Sequence, residues 1–293
     1  MSAAPVIFDR ALRLARLKRA LAQGSEDFLL RASLEELAER LAGVQRDFPL
    51  AVDLGAPNDH VAAAIARENR RVIRIACDPA LGAGPDFVVG DEETLPLASE
   101  SVDLIVSALA LQWVNDLPGA LAQIRRALKP DGLLLACMIG GASLAELRAS
   151  FTAAEVELEG GASPRVAPFA DVREVGNLMR RIGFALPVVD SEALTVRYDN
   201  MFRLMADLRA MGATNALVAR SRKPLRRRTL MRAAEIYAER YSDPDGRIRA
   251  SFDIIWLSGW APHESQQKPL KPGSAQVRLA DVLGKGRDPT GQE

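Results

Sequence analysis

Residues 102–135 read VDLIVSALALQWVNDLPGALAQIRRALKPDGLLL, and the patterning of this stretch selects the fold. Val102, Leu104, Ile105 and Val106 form a near-continuous apolar run, as expected of a parallel strand covered on both faces. Leu117, Leu121, Ile124 and Leu128 then recur at helical spacing, leaving Gln123, Arg125 and Arg126 toward water. Asn115 or Asp116 suits the N-cap, and Pro118 falls in the first turn, where a missing N–H costs nothing. Lys129-Pro130-Asp131-Gly132 is expected to be a tight turn into a second buried strand at Leu133-Leu134-Leu135. Strand, crossover helix and strand make a right-handed unit of a parallel sheet.

Outward from this unit the same alternation continues. Upstream, helices are expected from Asp9 to Ala22 and from Glu26 to about Val44, a strand from Leu50 to Leu54, a helix from Asn58 to about Glu68, and strands from Val72 to Cys77 and from Phe87 to Val89. Downstream, Ser143 is expected to cap a helix to about Leu158, and Asp171 to Arg181 a helix closed by Gly183. A strand within Leu186 to Val196, helices from Asn200 to Met211 and Arg226 to Tyr241, and a last strand from Ile248 to Leu257 complete the reading. The fold class is therefore α/β, a Rossmann-like, mostly parallel seven-stranded sheet with a helical insertion before the last strand. The expected division is N-terminal helices over 1–46, the main domain over 47–262 with the insertion at about 199–247, and an irregular tail over 263–293, where prolines, glycines and polar residues prevail.

The chain of 293 residues is long enough for one full core. Its 38 basic residues equal its 38 acidic ones, so no global field draws it to nucleic acid or an acidic membrane. Cys77 and Cys137 sit in apolar strand-like runs and read as buried thiols. No apolar run approaches the roughly 20 residues of a membrane span, so a soluble protein is expected. Arg10, Arg13, Arg16, Lys18 and Arg19 among alanines and leucines suit either a transit peptide or an amphipathic helix; Leu12, Leu17, Leu21 and the internal Asp9 favour the helix. Arg222, Lys223, Arg226, Arg227 and Arg228 form one dense basic patch without interleaved aromatics, read as a solvated helix start or a docking surface for an acidic partner rather than a nucleic-acid site.

Strand, glycine turn, helix, strand and terminal acid from Leu50 to Asp78 describe a nucleoside-binding half. A dinucleotide needs G-x-G-x-x-G, whereas this turn is Gly55-Ala56-Pro57-Asn58-Asp59-His60, with one glycine and an acid where a pyrophosphate would lie. S-adenosylmethionine carries no phosphate. It needs acids for ribose and adenine and a turn close to its methionine part, which Asp53, Gly55, Asp78, Asp91 and the turn Ser107-Ala108-Leu109 are placed to supply. Asp78, at the tip of the second strand, is the foremost candidate for the ribose hydroxyls. Asp91 reads equally as an adenine contact or a loop charge, and Glu92 and Glu93 as solvated loop charges.

The chain resembles the class I S-adenosylmethionine-dependent methyltransferases in Asp53-Leu54-Gly55 and in Leu128-Lys129-Pro130-Asp131-Gly132, although the glycine-rich first motif of that class keeps only Gly55. Over nearly its whole length it is similar to the methyltransferase-like assembly factors of mitochondrial respiratory complex I and their bacterial relatives. The segments carrying this are Phe8-Asp9-Arg10, Gln112 to Pro118, Gly160 to Pro164, Met211 to Asn215 and Gly259 to Gln266. More distantly it resembles the malonyl-carrier-protein methyltransferases of biotin synthesis. The resemblance implies S-adenosylmethionine as cofactor and three alternatives: methylation of a protein or carrier-bound acceptor, hydroxylation of an arginine on an iron–sulfur subunit of complex I, or a non-catalytic assembly chaperone. It implies a bacterial cytoplasm or a mitochondrial matrix.

The substrate pocket has three candidates. His60, near a helix start, is a ligand contact or an ordinary polar residue. Trp113, after the fourth strand, is a pocket wall or packing. His263, beside Glu264, is half of an acid–base pair or a tail anchor. With only these two histidines, and neither in a His-x-Asp or His-x-Glu pair, no metal-ligand set is expected.

Overall fold

The computed structural model describes residues 5–267. At the centre of its single seven-stranded sheet, β1 (Leu50–Leu54) pairs in parallel with β4 (Val102–Ala108), and β4 with β5 (Leu128–Ile139). On one side β2 (Arg71–Ala76) and β3 (Phe87–Val89) extend the parallel sheet; on the other, β7 (Ile248–Trp260) and β6 (Ala185–Tyr198) are antiparallel. The order is β3-β2-β1-β4-β5-β7-β6, so the strand order reverses between β1 and β4. Ligands bind at such a switch point, outside the carboxyl ends of the strands.

Helices cover both faces. On one lie α4 (Leu117–Ala127) and α6 (Val172–Ile182), whose Leu121, Ile124, Val175 and Met179 are buried among Val52, Ile105 and Leu134. On the other, α2 (Phe28–Ala42), α3 (His60–Ile65), α5 (Ala145–Glu159) and α8 (Arg227–Tyr241) meet Ala51, Leu104, Leu135 and Trp256. Both faces of the central strands are thus dry, as their near-continuous apolar runs require. α7 (Met201–Ala210) and α8 lie between β6 and β7 in sequence, the expected insertion, and α1 (Arg10–Ala22) packs on α7. No helix among the described residues is long and apolar enough to cross a membrane.

Several local expectations need correction. The helix expected from Asn58 to Glu68 is only α3: Ala66 turns extended, and the Arg70 guanidinium takes the carbonyl of Ile65 at 2.8 Å and that of Phe48 at 3.1 Å, ending the helix. Lys129 to Gly132 is not a turn between elements but an irregularity within β5, which pairs with β4 at Leu128 and again from Leu133, with Asp131 at φ 64°. Ser143 does not cap a helix. Its Oγ donates to the Asp253 carbonyl at 3.1 Å and accepts from the Asp253 N–H at 2.8 Å, while Leu144 precedes α5 at φ 53°. Asp116 caps α4 through Gly119 N–H at 2.9 Å, and Asn115 binds elsewhere.

By packing, the chain divides after Pro262 into two units. In the second, His263 accepts from Ser265 N–H at 3.3 Å on Nδ1, which also meets Ser265 Oγ at 2.7 Å, and its own N–H donates to Gln266 Oε1 at 3.1 Å.

Candidate functional site

The carboxyl ends of β1, β2 and β4 open into one cleft, walled by the turn at Gly55, by Cys77 after β2, by Ala108 at the end of β4 and by Leu109 after it. Gly55 sits at φ 82°, and a Cβ there would lie 2.7 Å from both the Ala110 Cβ and Glu92 Oε1. The turn therefore admits no side chain, and backbone forms the cleft floor. Trp113, in a short 3₁₀ turn after β4, makes a side wall with Phe169, edge-on at 6.5 Å between centroids, and also packs edge-on against Phe8 at 5.4 Å.

α1 supplies the roof. Asp9 caps it by accepting from Leu12 N–H at 3.0 Å, and Leu14, Leu17 and Leu21 line the cleft from above. The segments that the sequence singled out without assigning a role converge to hold this helix. Asn115 Oδ1 accepts from the N–H groups of Ile7 and Phe8 at 2.8 and 2.7 Å, and Phe8 bridges to Leu217. Arg16 donates to the Asn215 carbonyl, while Asn215 Nδ2 donates to the Pro164 carbonyl at 2.8 Å. The Gly160–Pro164 loop is in turn fixed by buried Glu155, which accepts from Ser163 N–H at 2.7 Å and pairs with Arg165.

Two arginines of α1 face the cleft. Arg10 pairs with Glu92 at 2.5 Å, Asp91 at 2.9 Å and Glu93 at 3.0 Å. Burial works against its charge, but Glu92 and Asp91 outweigh that and hold its pKa above the ordinary value. Arg13 lies over the Trp113 ring, 4.6 Å from the centroid, with Nε and Nη1 buried and donating no hydrogen bond among the described residues. Burial pulls its pKa down to about 10, which Glu92 only partly opposes. On the same walls Gln112 donates to the Leu109 carbonyl at 2.6 Å, and its buried Oε1 has no partner among the described residues. Glu92, expected as a solvated charge, is 7 % exposed and lines the cleft.

The expected contact residues divide. Gly55, Ala108, Leu109 and Trp113 line the cleft; Asp53, Asp78, Asp91, Ser107 and His60 do not. Asp53 is wholly buried beside Arg74, whose Nε stands 3.4 Å from Oδ2; burial, opposed by Arg74, raises its pKa to about 7. Asp78 accepts from Ala80 N–H at 2.8 Å and pairs with Lys18 at 3.0 Å, and both partners hold its pKa below the usual carboxylate range. Asp91 pairs with Arg10, and the buried Ser107 hydroxyl donates to the Leu54 carbonyl at 2.9 Å. His60 starts α3, 3.3 Å from Asp27 Oδ2. His263 belongs to the second unit.

Arg10, Arg13 and Glu92 were missed as cleft residues. A usable signal existed: Arg10 and Arg13 share the face of Leu14, Leu17 and Leu21, and a cation inside an apolar stripe asks for a buried partner.

Residues 50–136 match the model of the methyltransferase domain family. The chain is 38% identical to the mitochondrial arginine-hydroxylase NDUFAF5 of Danio rerio, over 96% of this chain and 91% of that protein. To the human protein of that name it is 40% identical, over 95% and 84%. It is 34% identical to the malonyl-[acyl-carrier protein] O-methyltransferase of Halorhodospira halophila, over 87% and 88%. Among solved structures, the YcgJ protein of Bacillus subtilis shares the fold at a TM-score of 0.55 and 16% identity, over 80% of this chain and 99% of that one. These similarities agree with the resemblance read from the motifs: the chain belongs to the family of the NDUFAF5 arginine-hydroxylases, built on the Rossmann-like class I methyltransferase fold that it shares with the malonyl-carrier-protein O-methyltransferases.

Proposed function

We propose that the cleft binds S-adenosylmethionine and that the protein is an enzyme modifying a side chain of a protein partner. The observation that carries this reading is the Arg13 guanidinium, buried on the cleft wall with two donors unused. Such a group is costly unless a ligand anion completes it. With Glu92 and the unpartnered Gln112 Oε1 nearby on the walls, the cleft carries both signs of charge and suits a zwitterion attached to a hydroxyl-bearing nucleoside. Arg13 would take the α-carboxylate and Gln112 Oε1 the ammonium, while Gly55 allows close backbone approach. Leu14, Leu17 and Leu21 of α1 exclude water above the site.

The bound cofactor supplies an electrophilic methyl group. For methyl transfer the residues of this chain have only to hold donor and acceptor in line, and Trp113 and Phe169 form the wall against which an acceptor would be oriented. A second reading, hydroxylation of an arginine, is favoured by the near full-length similarity to proteins named for that activity. The partner implied by the resemblance is a subunit of respiratory complex I, with a carrier-bound acid as the alternative, in a bacterial cytoplasm or a mitochondrial matrix.

The test is incubation of the purified protein with isotopically methyl-labelled S-adenosylmethionine and candidate partner subunits, followed by intact-mass analysis. Methyl transfer adds labelled carbon to the partner. Hydroxylation, for which the incubation also contains dioxygen and an electron donor, adds one oxygen and no label. An unchanged partner, together with no calorimetric binding of cofactor, would leave the chaperone role.

A further inference from the structure

α1 turns two arginines toward the cleft about one helical turn apart, and the fold holds them in opposite ways. Arg10 is neutralised by the three acids after β3, with Glu92 at 2.5 Å, Asp91 at 2.9 Å and Glu93 at 3.0 Å. Arg13 pairs with no carboxylate among the described residues; its guanidinium carbon instead lies 4.6 Å from the centroid of the Trp113 ring. The two modes differ in what they leave over. A carboxylate takes up both the charge and the donors of a guanidinium, whereas an aromatic face attracts the cation from one side and accepts none of its in-plane N–H groups. Arg13 is therefore held in place with Nε and Nη1 still free to donate.

The ring is itself braced. Trp113 closes the short 3₁₀ turn Leu111–Trp113, with Phe8 edge-on at 5.4 Å and Phe169 at 6.5 Å. Phe8 is fixed in turn by its N–H, which donates to Asn115 Oδ1 at 2.7 Å, and by its bridge to Leu217. The segment before α1 and the loop after β4 thus form one unit, in which the loop orients the ring and the ring orients the arginine.

Resting on the reading that the cleft holds S-adenosylmethionine, we propose that Trp113 is a positioning residue for the cofactor's α-carboxylate: its ring holds the Arg13 guanidinium ready to donate without neutralising it beforehand. Arg10 has a part in this arrangement, because it engages the acids that would otherwise be drawn to Arg13. Preorganisation is the gain. A long side chain already ordered on a ring loses little further freedom when an anion arrives. Selectivity follows, since a ligand without the carboxylate gains nothing from the arrangement. Arg13 is the contact, and Trp113 acts through it.

The experiment is calorimetric titration of the full-length protein with S-adenosylhomocysteine and with its decarboxylated analogue. The variants are Trp113→Phe, Trp113→Leu, Arg13→Met and the Trp113→Leu/Arg13→Met pair. A further protein carries ring-fluorinated tryptophan at position 113, which nearly keeps the shape of the ring and drains the negative potential of its face. Melting temperatures accompany each. The wild type is expected to prefer S-adenosylhomocysteine by about tenfold or more, the effect of hydrogen bonds between charged groups. Trp113→Phe should keep most of that preference, because an aromatic face remains. Trp113→Leu and the fluorinated protein should lose about fivefold or more of it. Arg13→Met should abolish it, and adding Trp113→Leu should then change it no further. Equal weakening of both ligands by Trp113→Leu would make the ring a plain wall and overturn the assignment, as would an unchanged preference in the fluorinated protein. A wild type that binds both ligands equally would overturn the carboxylate contact of Arg13, and one that binds neither would overturn the cofactor reading, so the three failures are told apart.

Discussion

The tips of the central strands and the helix that roofs them contribute opposite things to the cleft. β1, β4 and the turns after them offer backbone and small side chains over an apolar core: Gly55, Ala108 and Leu109 line the cleft, and Val52, Leu104, Ile105 and Val106 are fully buried beneath. α1 brings charge, with Arg10 against three acids and Arg13 unpaired over Trp113. The sheet makes a place for a ligand, and the helix makes it selective. A scaffold that many functions share is specialised by what is laid across its carboxyl edge.

The largest test breaks the floor. Gly55→Val places side-chain atoms against Ala110 and Glu92 at a positive φ, and titration with S-adenosylmethionine is expected to detect no binding. Next, Leu104→Ala in the sheet should cost about 2–5 kcal/mol in urea unfolding while retaining ligand selectivity. An equal loss of stability and selectivity would blur the distinction between sheet and roof. Asp53→Asn tests the buried pair just below the floor. Its folded pKa of about 7 lies above the ordinary 3.8, so its contribution to stability is full below 3.8 and is lost as pH rises to about 7. The wild type minus variant difference in unfolding free energy should therefore fall across that window, with a slope of up to about 1.4 kcal/mol per pH unit, and be flat above it.

Arg13→Met separates function from stability on the roof itself. Affinity for S-adenosylmethionine should drop about tenfold or more, while the free protein gains about 1 kcal/mol because an uncompensated buried cation is gone. A lower melting temperature in the free variant would make Arg13 a structural residue. The smallest effect is a control away from the cleft: Arg232→Ala removes exposed pairs with Glu157 and Glu235 and should leave the urea unfolding midpoint essentially unchanged.

Elements with a local cause were legible in the chain. The strands β1, β4 and β5 announced themselves by near-continuous apolar runs, α4 by its 3.6-residue stripe and by Asp116, one of its two cap candidates, and the starts of α1, α6 and α7 by Asp9, Asp171 and Asn200, whose side chains reach an N–H two or three residues on. Gly183 likewise ends α6 at φ 90°, a conformation that glycine alone adopts without strain. These follow from sterics and hydrogen bonds over a few residues, so they are set before any distant contact forms.

What only the tertiary structure decided are the partners of polar side chains. Nothing near Asp78 in sequence says that Lys18, 60 residues earlier, will take it, nor that Asn115 will bind Ile7 and Phe8 instead of capping α4. Glu92 looked like a loop charge beside two other acids, and folding buried it between Arg10 and Gly55. The reason is physical: an ion pair or a buried carboxylate depends on distance and desolvation through space, and neither is encoded at short range along the chain. The amino-acid sequence by itself determined the sheet and where a ligand would lie, and only the packing of α1 across the strand tips determined which charges meet it.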